Sequence, residues 1–318
     1  MEIIPLILII LICATLLLGY PVAFTLSGVS ILFALACIPF GIFDASIFKS
    51  IPIRIFGIMN NVTLLAVPLF IYMGTILERS GIAAQMLKNM AAAFKNVRGG
   101  LSISIIFVGA LLAASTGIVG ATVVTMGLMS LPIMMQQGYR KDFASGLVAS
   151  TGTLGQIIPP SIALVLLGDV MSNAYQRAQN DMGIFSQKTV TVGDLFIGAI
   201  IPGAMICLGY LLYTIYKNFE NKNIISDKNT LSISRVEMMK TLGLPLSLIF
   251  IVLGSIIAGI ATPTEASALG AMGALIISAI NGKINADFIR ETSQKTAIVS
   301  SMIFAILIGA SIFSLIFR

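Results

Sequence analysis

Neither histidine nor tryptophan occurs among the 318 residues, and only 10% of them carry a charge. Without histidine there is no imidazole general base and no imidazole metal ligand. No G-x-x-x-x-G-K-[ST] loop is present, so the chain offers no such cradle for the phosphates of ATP. Cysteine is scarce as well: Cys13, Cys37 and Cys207 all fall in apolar segments. An odd count in such places argues against a disulfide framework, and the three read as small hydrophobic residues. A soluble domain carries about a quarter charged residues, so the shortage of charge excludes the ordinary globular class. The net charge of +6 would suggest nucleic acid in a soluble protein. Here the basic residues collect in short loops between apolar runs, and no nucleic-acid partner is expected.

What fills the chain is apolar. Hydrophobic residues make up 57% of it, the mean hydropathy is +1.01, and uncharged stretches of about 20 residues recur along its length. This is the pattern of an all-α polytopic membrane protein. Spans are predicted at about 3–20, 21–40, 60–78, 194–217, 241–260, 264–281 and 296–317. The first, "IIPLILIILICATLLLGYPVAF", has no basic flank and no A-x-A site, so it is expected to remain as a span and not to be removed as a signal peptide.

Placing the amino terminus outside puts fourteen Lys and Arg residues in the loops 79–98, 138–142, 217–240 and 282–295, against four (Lys49, Arg54, Arg177 and Lys188) in 41–58 and 176–192. That asymmetry predicts a periplasmic amino terminus. It also requires residues 99–138, which carry no charge, to start and finish on the cytoplasmic side. The middle of that stretch, "GALLAASTGIVGATVVTMG", holds Ser115, Thr116, Gly117, Gly120 and Thr122 between two apolar legs. Two full spans with a tight external turn are the plain alternative. The segment lacks the charge, Asn, Asp or Pro of a water-facing turn, so it reads as the tip of a re-entrant hairpin.

A second interruption, "STGTLGQIIPPS" at 150–161, lies in the uncharged run between Asp142 and Asp169. Pro159 and Pro160 donate no backbone hydrogen bond, which deprives the carbonyls of Gly155 and Gln156 of their helical partners. Irregular backbone at membrane depth survives only beside a cavity, other protein or a ligand. A simple proline kink is the alternative. The glycines, the tandem prolines and the second interrupted segment favour a binding site. Discontinuous helices aim positive amino-terminal ends at anions and negative carboxyl-terminal ends at cations. With no acidic residue at either break, sodium held by neutral oxygens fits better than a carboxylate proton relay.

Residues 5–36 and 245–276 show weak internal similarity. Pro21 aligns with Pro263 and Gly28 with Gly270, and the predicted directions of the two spans are opposed. This predicts an inverted repeat of the ion-transporter kind. The first unit, 1–218, holds scaffold spans 3–78, an arm helix 82–98, the hairpin 99–138, the broken helix 143–170 and the span 194–217. A cytoplasmic loop covers 219–240, and 241–318 begins the second unit. By this register residue 318 corresponds to about residue 78, so counterparts of the hairpin and broken helix fall beyond it, and a truncated chain is expected.

The segments "AVPLFIYMGTILERSG" (66–81), "GATVVTMGLMSLPIMMQQGY" (120–139), "GTLGQIIPPSIALVLLGD" (152–169) and "ATPTEASALGA" (261–271) resemble the large, DctM-like membrane subunit of the tripartite ATP-independent periplasmic (TRAP) transporters, along essentially the whole chain. The resemblance implies an elevator-type, sodium-coupled symporter in the bacterial inner membrane that imports small organic acids of the C4-dicarboxylate, keto acid or sugar acid type. Its implied partners are a small four-helix membrane subunit and a periplasmic substrate-binding protein. By resemblance, Thr116 and Gly117, with Ser115 adjacent, form the hairpin part of a sodium site. Gly155, Ile158 and Pro160 form the broken-helix part, mostly through main-chain oxygens. The family's tip is serine-rich where this chain has Ile118 and Val119. Sodium is the coupling ion, no cofactor is implied, and the substrate-binding residues are not assigned. The family continues into a second Pro-Pro segment that these 318 residues do not contain.

Three acidic positions are weighed separately. Glu265 is either an ion or proton ligand or a first-turn carboxylate capping its helix, and the cap is the expected role. Asp169 is expected at the outer end of a span, and Glu78 with Arg79 as an interfacial pair. A channel would also use a re-entrant hairpin, but the inverted repeat favours alternating access. A non-functional fragment of the permease is the other alternative. No nucleophile–base pair is present to support an enzyme.

Overall fold

The computed structural model describes residues 3–94, 97, 99–116, 119–184, 186, 188–220 and 235–317, with the backbone alone at Ile3, 113–116, 121 and 235–240. The described residues are helical with no strand, and five helices are long and apolar enough to cross a membrane. This agrees with the polytopic all-α class. The chain divides into two compact units, Met1–Val62 with Ala297–Arg318, and Thr63–Thr296.

The first unit contains α1 (Ile3–Leu17), α2 (Val22–Cys37), α3 (Ser50–Met59) and the last part of α13 (Ala286–Phe317). Between α1 and α2 the chain reverses through Gly19, at φ +86°, and Pro21. The glycine takes the left-handed conformation that a side chain resists, and the proline cannot continue α1. The core of this unit is formed by Leu8 and Ile12, one turn apart on α1, with Ala34 from α2 and Ile312 and Ile316 from α13. Close approach is required at Gly309, where a Cβ would lie 2.5 Å from the Ala23 carbonyl oxygen. Helix α3 falls in the segment read from sequence as a loop, and its Arg54 donates to the Ser311 carbonyl at 3.3 Å.

The second unit is built on α4 (Ala66–Arg79), α5 (Ile82–Ala93), α6 (Gly100–Thr116), α7 (Val119–Gln136), α8 (Lys141–Thr153), α9 (Ile162–Asp181), α10 (Val192–Glu220), α11 (Arg235–Ile257), α12 (Pro263–Ile280) and the first turns of α13. Helix α4 buries Val67, Phe70, Ile71, Met73, Ile76 and Leu77. A helix apolar on most sides belongs inside, and α4 lies against α12, α6 and α5. The face of α12 is cut for it: Ala266, Gly270 and Ala274 recur every fourth residue, and a Cβ on Gly270 would stand 2.6 Å from the Met73 sulfur. Small residues allow backbones to approach closely where lipid supplies no hydrophobic drive for helix association.

Helix α10 has 29 residues, about 43 Å of rise, so it exceeds the ~30 Å hydrocarbon core. The predicted spans correspond to α1, α2, α4, α10, α11, α12 and the later part of α13. The helix of the predicted arm ends at Ala93, with Phe94 in a turn. Its apolar residues Ile82, Ala83, Met86 and Leu87 are buried. Of the cysteines, Cys13 is exposed on α1, and Cys37 and Cys207 are half-buried.

Candidate ion site at the helix break

Helix α8 tightens into a 3-10 turn over Leu154–Gln156, and α9 begins only at Ile162. The intervening backbone is held by specific substitutes for helical bonding. The Leu154 carbonyl accepts the N–H groups of both Ile157, at 2.9 Å, and Ile158, at 2.8 Å. The Gln156 carbonyl, whose helical donor would be the imino nitrogen of Pro160, instead accepts the Ser161 hydroxyl at 2.8 Å. Ser161 is fully buried, and its oxygen also accepts the Leu164 N–H at 3.4 Å as the amino-terminal cap of α9. One serine therefore repairs the end of one half-helix and starts the next. The Pro159–Pro160 peptide is cis.

Gly155, Pro159 and Pro160 are buried, and Ile158 is half-buried. The break thus brings the carboxyl-terminal end of α8 and the amino-terminal end of α9 together inside the protein. The partial charges there are negative from the last carbonyls of α8 and positive from the first amides of α9.

Helices α6 and α7 pack on one another, and both pack on α8 and on the turn Leu154–Gln156. Glycines set the distances. A Cβ on Gly109 of α6 would lie 2.8 Å from the Thr151 Cβ, and one on Gly152 of α8 would lie 2.2 Å from the Val123 Cγ2 of α7. Thr151 is fully buried, and its hydroxyl is satisfied within α8 by the Leu147 carbonyl at 2.8 Å. Across the break, α10 passes at Gly203, where a Cβ would contact the Ile158 Cγ1 at 3.4 Å.

Gly155, Ile158 and Pro160 therefore share one short stretch. Ser115 and Thr116 end α6, the helix packed against that stretch, and their side chains lie outside the described residues, as does Gly117 altogether. Among the described residues no group of three His, Cys, Asp or Glu side chains could hold a metal ion. Oxygen from backbone and hydroxyl groups suits hard cations.

The weighed acidic residues resolve differently. Glu265 forms a capping box: its carboxylate accepts the Thr262 N–H and hydroxyl, each at 2.8 Å, and its own N–H donates to the Thr262 hydroxyl at 3.3 Å. Asp169 lies mid-helix, because α9 continues through Asp181 and not to 170. Glu78 and Arg79 pair elsewhere. Glu78 accepts Lys295 Nζ at 2.8 Å and the Thr125 hydroxyl at 2.9 Å, while Arg79 pairs with Glu291. Glu291 and Lys295 are one turn apart on α13, so α4 meets α13 through two ion pairs, and Glu78 also ties in α7 through Thr125. The sequence gives no sign of this cluster, since its members lie 47 and 217 residues apart.

These features describe a polytopic helical membrane protein with one discontinuous helix lodged against a pair of packed helices. Comparison with known proteins supplies the family. The profile described as "Tripartite ATP-independent periplasmic transporter, DctM component" matches residues 9–318, and the chain belongs to that family. It is 29% identical over 307 residues to the C4-dicarboxylate TRAP transporter large permease protein DctM of Rhodobacter capsulatus, covering 96% of this chain and 67% of the relative. The protein of the same description from Vibrio cholerae serotype O1 is 32% identical over 292 residues, covering 92% and 59%. The sialic acid TRAP transporter large permease protein SiaM of that organism is 27% identical over 295 residues, covering 91% and 63%. The chain thus spans about three-fifths to two-thirds of the length of these three relatives.

Proposed function

We propose that this chain is the large permease part of a sodium-coupled TRAP transporter that imports small organic acids by elevator-type alternating access. The observation that carries the reading is the buried break at 154–161, packed against α6 and α7. Such a break leaves backbone oxygens to coordinate a cation and half-helix amino termini to face an anion, which is the recurring device of secondary transporters. In this reading residues 99–138 form a re-entrant hairpin whose tip contributes Ser115, Thr116 and Gly117 to the sodium site. Gly155, Ile158 and Pro160 complete it through the main chain. The amino terminus is periplasmic, as the loop distribution of lysine and arginine favours. The units 1–218 and 241–318 are the inverted repeat and its continuation.

The protein sits in the bacterial inner membrane and works with a small four-helix subunit and a periplasmic binding protein. Relatives carry names for different cargoes, C4-dicarboxylate, sialic acid and ectoine among them, so the cargo class here rests on the anion-facing helix ends. The test is uptake of labelled organic acids into proteoliposomes holding this chain with its small subunit and binding protein. Saturable uptake driven by an inward sodium gradient, with no unitary conductance, is the expected result. Sodium-independent conduction through the chain would overturn the carrier reading in favour of a channel.

A further inference from the structure

Helix α7 is held on two opposite sides within one turn. Val123 faces α8, where a Cβ on Gly152 would lie 2.2 Å from its Cγ2, and Gly127, one turn on, faces Val148 of the same helix. Thr125 lies about 200° around the helix from Val123, and its hydroxyl donates to Glu78 Oε1 on α4 at 2.9 Å. Close packing therefore seats one side of α7 on α8, and a hydrogen bond to a carboxylate holds the other. That partner is not the usual one for a helical hydroxyl. Thr75, Thr151, Thr292 and Thr296 each turn back to the carbonyl four residues earlier in their own helix. Thr125 reaches out of its helix.

Glu78 receives it against the preference of its own helix. It is the last residue but one of α4, where the negative end of the helix dipole disfavours a carboxylate. Its side chain is 16% exposed, and both oxygens are taken, Oε1 by Thr125 and Oε2 by Lys295 Nζ at 2.8 Å. Among the described residues α4 packs on α12, α6 and α5, so α7 and α13 meet it chiefly through these polar groups. The neighbouring pair of Arg79 with Glu291 also joins α4 to α13, with side chains 36% and 57% exposed. Two polar links thus run from α4 to α13, and the more buried one branches to α7.

We propose that Glu78 is a positioning residue for the break at 154–161. Through Thr125 it holds α7 on α8 beside Gly152, and Lys295 fixes the carboxylate in turn. The line of contacts is short. From Thr125 it runs two residues along α7 to Val123, crosses to Gly152, and runs two residues along α8 to Leu154, about 3 Å of rise on each helix. Helices α7 and α8 both pack on the turn Leu154–Gln156, so a shift of α7 changes the wall of the break. Polar links suit this role, because a hydrogen bond and an ion pair open and re-form without leaving a void, whereas close packing admits one arrangement. Glu78 ligates nothing at the break and acts on it through α7. What it shapes is the site proposed above for a cation, so the functional meaning of this role rests on that reading, while the contacts themselves do not.

Hydrogen exchange of the purified chain in nanodiscs tests this, run in potassium without sodium so that the outcome does not depend on cation binding and failure of either reading can be told from the other. Thr125→Val keeps the shape of the side chain and loses the donor. It should speed exchange of peptides spanning 150–165 about tenfold, as loss of one hydrogen bond to a charged group implies. Glu78→Met should speed the same peptides at least as much. Thr125→Ser keeps the hydroxyl and should restore the rate of the unmodified chain. Arg79→Met breaks the exposed pair between α4 and α13 and should leave those peptides within about twofold. Unchanged exchange at 150–165 in Thr125→Val would overturn the proposal. So would equal acceleration by Thr125→Ser, or acceleration spread evenly over α1, α2 and α12, which would mean general loosening. If Glu78→Met does not fold, the two Thr125 variants decide the outcome alone.

Discussion

The two ends of α8 solve the same problem, how to present polarity in a membrane, by opposite means. At Thr153 the helix opens into a buried break whose polar atoms are main-chain groups and a serine, without a formal charge within 154–161. At Lys141 it opens into a solvent-reaching groove bordered by two cations and two carboxylates. Only thirteen residues of helix separate them. A charge near the bilayer centre is expensive; if the break lies at that depth, as the proposed function has it, backbone dipoles are the groups to expect there, and their desolvation is met in part through Ser161. Near the interface water shares that cost, and long charged side chains become the adaptable groups. Glu78 is a charge met by specific partners. It is largely buried, and its two oxygens are taken by Lys295 and Thr125.

The contrast can be broken most severely at glycine. Gly152→Ala puts a methyl group 2.2 Å from Val123. This overpacking should cost about 1–3 kcal/mol, seen as a lower unfolding midpoint in detergent. Gly146→Ala on the same helix meets nothing within 4 Å, and it should be neutral or stabilising by about 0.5–1 kcal/mol from helix propensity. Equal effects of the two substitutions would contradict the close contact of α7 with α8.

Lys295→Met leaves the Glu78 carboxylate largely buried beside Thr125 alone. Discounted for the one-third exposure of Lys295, the loss should be about 1–2 kcal/mol. A double-mutant cycle with Glu78→Gln should recover about half of it. Additive effects would mean that the pair is not coupled.

Ser161→Ala removes both the cap of α9 and the donor to Gln156, and a loss of about 1–2 kcal/mol is expected. The same variant should weaken any sodium response at the break, which thermal shifts in sodium against potassium would register. The smallest effect is expected at Glu265→Gln. It loosens the capping box of α12 and should leave the sodium response unchanged, whereas loss of that response would restore the ligand role for Glu265.

How far the sequence reveals these regions follows from their physics. The spans were legible because lipid demands long uncharged runs, and Gly19 with Pro21 marks a reversal in any context. The break was legible because tandem prolines remove N–H groups wherever they occur. Helix α3 was not: it is ten residues long and contains Pro52 and Arg54, too short and too interrupted to stand out from a loop. The second half of α9 was missed for a related reason. Its "SNAYQRAQND" has no apolar run to announce it, and its far end is fixed by Gln179, which exchanges two hydrogen bonds with the Lys188 backbone, at 2.8 and 2.9 Å. Glu78 was placed correctly at a helix end and given the wrong partner, because adjacency in sequence says nothing of what α13 brings beside it. The groove at the base of α8 left no local signal either, since it exists only where α8 and α10 come together.

The central claim is that the break at 154–161 is a cation site built from main-chain oxygen. It is tested most directly by hydrogen exchange of the purified chain in nanodiscs, in sodium and in potassium at equal ionic strength. Slower exchange in sodium confined to peptides spanning 109–122 and 150–165, with the groove peptides around 139–146 unchanged, is the predicted result. Identical exchange in the two salts across both segments would contradict it.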